Sequence, residues 1–458
     1  MASRAVALLE LAAGAAGARI VTADLGATKL GAEIWKRVRG GRDGPDLRRR
    51  TQLFELADVV VVERQDGLDG IRVGNGARRV ARDEAEALAI ANRIGYPVLV
   101  RPSFVLGGRA MMIVYSDSEL STYMREAVTA SPERPVLVDR FLDNAMEIDV
   151  DCISDGETSV VGAIMQHNEQ AGIHSGDSAC VIPSFSLSTQ VLETIKKATK
   201  AMAIELEVCG LMNVQFAVKD EVVYILEVNP RASRTAPFVS KATGVPLAKL
   251  AAKVMAGKTL RELGFTEEVI PPYYSVKEAV FPFIKFPGID IILGPEMRST
   301  GEVMGIDPDR GIAYAKSQMS AQPARPLSGK VFISVKDSDK PAALEVAREL
   351  EALGFEVHAS TGTAKYFAEN GLTVPVMLKI REGRPNVVDF IKNGEVKFIL
   401  NTPTGQAPRE DEVAIRSAAV AARVPVMTTL RGARASTKAI QAMNQHGYGV
   451  KSLQEFHA

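Results

Sequence analysis

The sequence predicts an α+β domain followed by a smaller α/β domain built on a parallel sheet. From residue 84, short period-2 runs and longer period-3.6 runs follow one another in irregular order, as in an α+β domain. From residue 326 the order becomes strict, each short apolar strand alternating with a helical segment, which is the pattern of a parallel α/β sheet. Between them lies the Pro- and Ser-containing stretch "SAQPARPLSG", a natural linker. The expected division is therefore 1–83, 84–325 and 326–458.

The elements follow in order. Before residue 83 the chain is rich in Arg, Gly and Ala; "ADVVVVE" could be a strand, but the surrounding stretches show neither period, so 1–83 is foreign to the rest or partly disordered. "DEAEALAIANRIG" is a helix with Leu88, Ala91 and Ile94 on one stripe, closed by Gly95 and Pro97. "PVLVRPS" and "GGRAMMIVY" are strands, "ELSTYMREAVTAS" a helix, and "PVLVDRFL", "MEIDVDCIS" and "TSVVGAIMQH" further strands. "STQVLETIKKATKAMAIELE" is a long amphipathic helix and "LMNVQFAVKDEVVYILEVN" a β-hairpin. In the last part "KVFISVK", "EVHAS", "VPVMLK", "VKFILN" and "VPVMTT" are strands, separated by helices such as "PAALEVARELEALGF" and "EDEVAIRSAAVAA".

Composition removes several function classes. A chain of 458 residues allows roughly two to four domains. Its 55 basic and 55 acidic residues cancel, giving no argument for nucleic acid or an anionic membrane as partner. Cys152, Cys180 and Cys209 form neither a disulfide framework nor a metal-ligand spacing, which points to a reducing, cytoplasmic setting. No apolar run reaches the ~18 residues of a membrane span. The opening "MASRAVALLELAAGAAGA" faintly resembles a secretory signal, but Glu10 interrupts its apolar part, so export is not expected.

Three stretches carry chemistry. In the hairpin, a turn at Lys219–Glu221 sets Gln215 opposite Ile225, on the face that also carries Glu227 and Asn229. Two amides and a carboxylate on one face form an all-oxygen set suited to Mg²⁺ or Mn²⁺, completed by phosphate and water. Polar groups on an ordinary surface hairpin would read the same way. In "RPSFVLGGRAM", Gly107–Gly108 lets backbone N–H groups approach phosphate, and Arg101 and Arg109 add charge, although most such glycine pairs are plain turns. In "QAGIHSGDSA", Gly172, His174, Ser175, Gly176 and Asp177 crowd donors and small residues into one loop, without any nucleophile–base triad. Together these imply a nucleoside triphosphate held between a Gly-rich hairpin and a metal-bearing hairpin, with Arg231 and Arg234 facing the phosphate acceptor.

The motifs "YPVLVRPSFVLGGRAMMIVY", "QAGIHSGDSA", "GLMNVQFAVKDEVVYILEVNPRASRTAPFVSKATGVPLAKLAAKVMAG", "PPYYSVKEAVFPFIKFPG" and "LGPEMRSTGEVMGI" resemble the C-terminal half of the carbamoyl phosphate synthetase large subunit. The resemblance runs from about Glu84 to the C-terminus. It implies an ATP-grasp domain that phosphorylates carbamate with ATP and Mg²⁺ or Mn²⁺, followed by a methylglyoxal-synthase-like allosteric domain. It implies that Arg101, Arg140, Leu142 and Glu147 surround ATP, and that Gly172, Ile173, His174 and Ser175 continue the nucleotide pocket. Gln215, Glu227 and Asn229 would hold the metals, and Arg231 and Arg234 would face carbamate. Effector contacts would fall on Lys340, Ser360, Thr363, Lys379, Asn401 and Pro403, in loops after strands, where open parallel sheets bind ligands.

Working from glutamine or ammonia and bicarbonate, for pyrimidine and arginine biosynthesis, such a unit needs a glutaminase small subunit and the N-terminal synthetic half as partners. The chain departs from the family pattern in residues 1–83, which match neither the preceding domain nor the N-terminal lobe, and in lacking the N-terminal half. It departs again at Asn168, Ser360 and Pro403, which puts effector identity in question. The departures suggest a truncated, split or frame-disturbed gene product. The alternative reading is a catalytically incomplete module that binds only a nucleotide effector.

Overall fold

The computed structural model describes residues 19–20, 79–102, 111–130, 136–142, 145–286, 288–321, 325–402 and 410–458. The strand expected in "ADVVVVE", the Gly107–Gly108 pair with Arg109, and Pro403 lie outside the described residues. The chain divides into two compact units, Met1–Gln166 with Ser184–Ile270, and His167–Pro183 with Pro271–Ala458. Residues 167–183 and 271–325, assigned by sequence to the middle domain, thus pack with the C-terminal unit.

The first unit contains two sheets. In the smaller, β2 (Arg79–Ala81), β3 (Val98–Pro102), β4 (Met112–Val114) and β5 (Val136–Arg140) lie in the order β2-β5-β3-β4, all antiparallel. Helices α1 (Glu84–Ile94) and α2 (Asp117–Ala130) cover it, sharing a core of Val98, Val100, Val114, Leu120, Met124 and Val138. The Asp83 carboxylate accepts from Glu86 N at 2.8 Å, satisfying one of the orphan donors that start α1. The fully buried line of α1 is Ala87, Ile90 and Ala91, while Leu88 and Ile94 are only partly buried. The small residues face the sheet closely and displace the expected stripe by a fraction of a turn.

The larger sheet holds β1 (Arg19–Ile20), β6 (Met146–Asp155), β7 (Ser159–Gln170), β9 (Cys209–Lys219) and β10 (Val222–Asn229), in the order β1-β10-β9-β6-β7. Alternation along these strands sorts the two faces. Ile148, Val150, Cys152, Met212, Val214, Phe216, Val223, Ile225 and Val228 join Val191, Ile195 and Met202 of α3 (Thr189–Glu205) in one core. The opposite face is polar and carries the site. Helices α4 (Ala236–Thr243) and α5 (Leu247–Met255) follow the hairpin.

In the second unit β8 (Cys180–Ile182), β11 (Tyr274–Val280) and β12 (Gly301–Asp307) pair antiparallel in the order β8-β11-β12. Helix α6 (Arg310–Ala321) packs on them through Ala313 and Tyr314. The parallel sheet comprises β13 (Gly329–Ser334), β14 (Phe355–Ala359), β15 (Val396–Asn401) and β16 (Val426–Met427), ordered β14-β13-β15-β16. The central strands β13 and β15 are buried on both faces and carry continuous apolar runs, Val331–Ile333 and Phe398–Leu400, whereas the edge strand β14 alternates, with Glu356 exposed. Val331, Ile333 and Leu400 pack with α7 (Lys340–Ala352) and α8 (Thr361–Glu369). Phe332 and Ile399 pack with α9 (Val387–Lys392) and α10 (Glu410–Ala421). Helices α11 (Leu430–His446) and α12 (Leu453–His457) complete the unit.

Two expectations need correction here. "VPVMLK" is not a strand of the sheet: it touches the β14 edge through one isolated bridge, Ala359 with Val376, Ala359 N donating to Pro375 O at 3.1 Å and Met377 N to Ala359 O at 2.9 Å. Pro375 has no N–H to extend the ladder. The expected linker is not wholly exposed either, since Arg325 within it is 8 % exposed, with its guanidinium over the Phe398 ring.

Candidate functional site

The hairpin that frames the site turns at Asp220 and Glu221, whose φ angles of 51° and 61° are those of a two-residue type I′ turn. Its register differs from the sequence expectation. The tight turn pairs Val222 with Lys219, one residue away from the expected register, and a bulge between Ile225 and Glu227 shifts the pairing by one more, so Gln215 faces Glu227 rather than Ile225, and Asn229 faces Asn213. An extra residue in one strand re-aims every side chain beyond it. Here the bulge places Gln215 and Glu227 side by side on the polar face, which a regular hairpin would not do.

Strand β6 extends that face. Asp149 lies opposite Gln215, Asp151 opposite Asn213 and Glu147 opposite Ala217. Glu147 is 6 % exposed, Asp149 1 % and Asp151 2 %. Glu147 was expected at the site. Asp149, Asp151 and Asn213 were missed, although the alternation of acids in "MEIDVD" was visible and puts three carboxyls on one face.

Burial pushes the Glu227 carboxyl above its ordinary range. A hydrogen bond with Asn229 and the charges of Arg231 and Arg101 oppose this, and Asp149 adds to it. Arg101, at 7 % exposure in β3, is also 3.4 Å through Nε from Asp139 Oδ2. Arg140, one strand over, is exposed, and Leu142 is half-buried just beyond it. A carboxylate, two amide oxygens and a water-poor surrounding suit a hard divalent cation, whose charge would offset the burial of Glu227.

The arginine loop is anchored from below. Asp151 accepts from Thr235 Oγ1 at 2.8 Å and from Asn213 Nδ2 at 3.0 Å. Thr235 Oγ1 is also 3.0 Å from Ser233 Oγ, which accepts from Ala236 N at 2.9 Å and so satisfies the first amide of α4. Arg231 N donates to Asn229 O at 2.8 Å, turning the chain sharply at Pro230. Arg231 and Arg234 are both exposed on this loop. One buried carboxylate therefore fixes the base of the loop that carries both arginines. Burial pushes Asp151 up to about 6, against the hydrogen bonds of Ser233, Thr235 and Asn213.

Gly172, Ile173, His174 and Ser175 belong to the second unit, where they form a tight loop. Gly172 has φ +104°, which glycine adopts without strain. Gly176 N donates to His174 Nδ1 at 3.0 Å, so the neutral ring carries its proton on Nε2. A Cβ on Gly176 would stand 3.2 Å from that Nδ1 and 3.1 Å from Met297 Sδ. Asp177, 1 % exposed, accepts from Arg298 N at 2.7 Å and Ser299 N at 2.9 Å, and Lys277 Nζ donates to Ser175 O at 3.1 Å.

The effector candidates gather at the carboxyl edge of the parallel sheet. Ser360 starts α8 and its Oγ is 3.1 Å from Thr363 Oγ1, both residues being buried. Lys340 starts α7, with Nζ 2.7 Å from Asp337 Oδ1 and 3.8 Å from where a Cβ on Gly362 would stand. Asn401 ends β15, 1 % exposed, donating through Nδ2 to Ser334 O at 3.0 Å. Hydroxyls and an ammonium at a helix N-terminus suit an anion. Lys379 lies farther along, its N–H donating to Glu382 Oε2 at 2.9 Å.

Residues 68–263 fit the family model "Carbamoyl-phosphate synthase L chain, ATP binding domain", and residues 342–428 fit the "MGS-like domain". The chain thus joins a carbamoyl-phosphate synthase ATP-binding domain to an MGS-like domain. The first match begins inside the segment 1–83 that sequence reasoning left unmatched. The carbamoyl phosphate synthase large chain of Pasteurella multocida is 55 % identical over 394 residues, covering 86 % of this chain and 37 % of its own length. That of Nostoc sp. is 56 % identical over 395 residues, 85 % of this chain and 36 % of its own. The chain spans little more than a third of these relatives. Among solved structures, the biotin carboxylase domain of Hydrogenobacter thermophilus 2-oxoglutarate carboxylase superimposes with a TM-score of 0.43 at 21 % identity, over 54 % of this chain and 60 % of that one. Among the described residues, no helix is long and apolar enough to cross a membrane.

Proposed function

We propose that this chain transfers the γ-phosphoryl group of ATP to carbamate, giving carbamoyl phosphate and ADP. The observation that carries the reading is the polar face of β6, β9 and β10, where Gln215 stands opposite Glu227 and the next residues lead into the Arg231–Arg234 loop. Arg101, Arg140, Leu142 and Glu147 hold ATP, and Gln215, Glu227 and Asn229 hold Mg²⁺ or Mn²⁺. When bound, the metal neutralises phosphate charge and favours an in-line arrangement. In the transfer a carbamate oxygen attacks the γ-phosphorus and the bond to the β–γ bridging oxygen breaks, so that ADP leaves. Arg231 and Arg234 supply fixed positive charge beside the carbamate carboxylate, offsetting the repulsion between two anions. The supporting partners are an N-terminal synthetic half that makes carbamate, a glutaminase small subunit that supplies ammonia, and a nucleotide effector at Lys340, Ser360, Thr363, Lys379 and Asn401. The setting is the cytoplasm, where its three free thiols stay reduced.

The test is the reverse reaction, ATP formation from MgADP and carbamoyl phosphate on the purified chain. Glu227→Gln is expected to lower the rate by about a hundredfold or more, because it removes the one charged donor of the set. A chain that binds nucleotide only through residues 326–458, and forms no ATP, is instead the effector-binding module.

A further inference from the structure

The second unit contains both the strand ends expected to meet an effector and the loop expected to meet nucleotide. A single buried side chain stands between them. Arg416 of α10 is 0 % exposed, and a guanidinium so placed must have its donors satisfied by the protein. Its Nε and Nη2 each donate at 2.7 Å to the two carboxylate oxygens of Asp290, a bidentate pair. Its Nη1 donates at 2.7 Å to Asn401 Oδ1. The fork is thus shared between the end of β15 and the segment that follows β11.

That segment continues to the 172–177 loop. Asp290 O accepts from Arg298 Nη1 at 2.8 Å, while Arg298 N and Ser299 N grip Asp177. Gly294 O accepts from His174 N at 2.8 Å, and Ser299 Oγ donates to Gly176 O at 3.2 Å. Every link is a hydrogen bond or an ion pair of normal length inside one compact unit.

We propose that Arg416 is a positioning residue that ties ligand occupancy beside Asn401 to the conformation of the 172–177 loop. The proposal rests on the reading above, in which Asn401 meets a nucleotide effector, and on the family resemblance, which implies that His174 and Ser175 continue the nucleotide pocket. Asn401 cannot turn its Oδ1 toward a ligand without releasing Arg416 Nη1 in a site that holds no water-exposed guanidinium surface. The released fork re-aims, Asp290 follows its bidentate partner, and the Arg298–Ser299 grip on Asp177 moves with it. Coupling between sites then has a physical carrier with two hydrogen-bonding arrangements rather than mere proximity.

The experiment measures MgADP affinity by calorimetry on the full chain, alone and with saturating AMP, CMP, GMP or UMP as effector probes. In the unmodified chain at least one probe shifts MgADP affinity by about fivefold or more. In Arg416→Met and Asp290→Asn that shift falls to within about 1.5-fold, while affinity for the probe alone stays within about threefold. Hydrogen exchange gives a second readout: the probe alters protection of the 172–178 amides in the unmodified chain but not in the variants. Should the buried variants fail to fold, exposed Arg298→Ala cuts the same path at a hydrogen bond to a carbonyl and is expected to weaken the coupling in the same direction. Folded variants that keep the full shift overturn the proposal, as does an unmodified chain that binds both ligands independently. A chain that binds no nucleoside monophosphate sinks the effector reading itself, and the proposal with it.

Discussion

Replacing Asp151 by Asn isolates the cost of one buried charge. The Asp151 carboxyl is pushed by burial from 3.8 up to about 6, so the folded chain holds its proton more tightly than the unfolded chain does. A raised carboxyl pKa contributes stability that is complete below the unfolded value and is lost as pH rises through the folded one. Integrated between pH 4.5 and pH 7, these two values cost the unmodified chain about 2 kcal/mol. Asp151→Asn has no such cost and keeps an amide oxygen for one of the two donors, Thr235 or Asn213. Its stability relative to the unmodified chain should therefore rise by about 2 kcal/mol across that window. Urea unfolding followed by circular dichroism, at half-unit steps of pH, measures the difference. A difference that stays flat means that Asp151 is ionised at no cost, and the reasoning fails. Asp151→Ala supplies the contrast. It leaves the Asn213 amide without its acceptor, at about 1–3 kcal/mol, while the Thr235 hydroxyl falls back on Ser233 Oγ. It also frees the base of the arginine loop, so the rate of ATP formation should fall about ten- to a hundredfold.

Other outcomes follow from single contacts. Gly305→Ala should destabilise the second unit by about 3 kcal/mol in thermal unfolding, because the added Cβ would meet the backbone of Ala313 and Ser317 and stand 2.9 Å from Lys316 Cβ. Ser360→Ala should weaken nucleoside monophosphate binding by about tenfold in calorimetry while MgADP binding is unchanged, since the hydroxyl sits at the start of α8. Burial, and then the neighbouring Glu169, hold the Glu278 carboxyl up at about 8. Stability from this group should therefore drain away as pH climbs from about 5 toward 8, and Glu278→Gln should flatten that slope in a pH series of melting curves.

Much of the fold was legible because period and burial coincide. The alternation of β6 and β9 announces a sheet with one apolar and one polar face, and the continuous apolar runs of β13 and β15 announce a parallel sheet covered on both sides. "VPVMLK" misled because an apolar run states burial, not pairing, and Pro375 denies the edge a donor. Glu227, Gln215 and Asn229 stand out as oxygen donors by residue type, but the spacing set Gln215 opposite Ile225, and the bulge that brings it opposite Glu227 leaves no local signature. Asp149 and Asp151 were legible in principle through the period of two in "MEIDVD", whereas Glu147 entered only through the family resemblance.

The sequence by itself determined most of the helices and strands and the two-faced character of β6, because each follows from side-chain type and a period of a few residues. Tertiary structure decided the register of the hairpin, the burial of Asp151 beneath the arginine loop, and the membership of residues 167–183 in the C-terminal unit. It also decided the pairing of Arg416 with Asp290, 126 residues apart in the chain. Such contacts depend on how packed elements close on one another, and no local period records that.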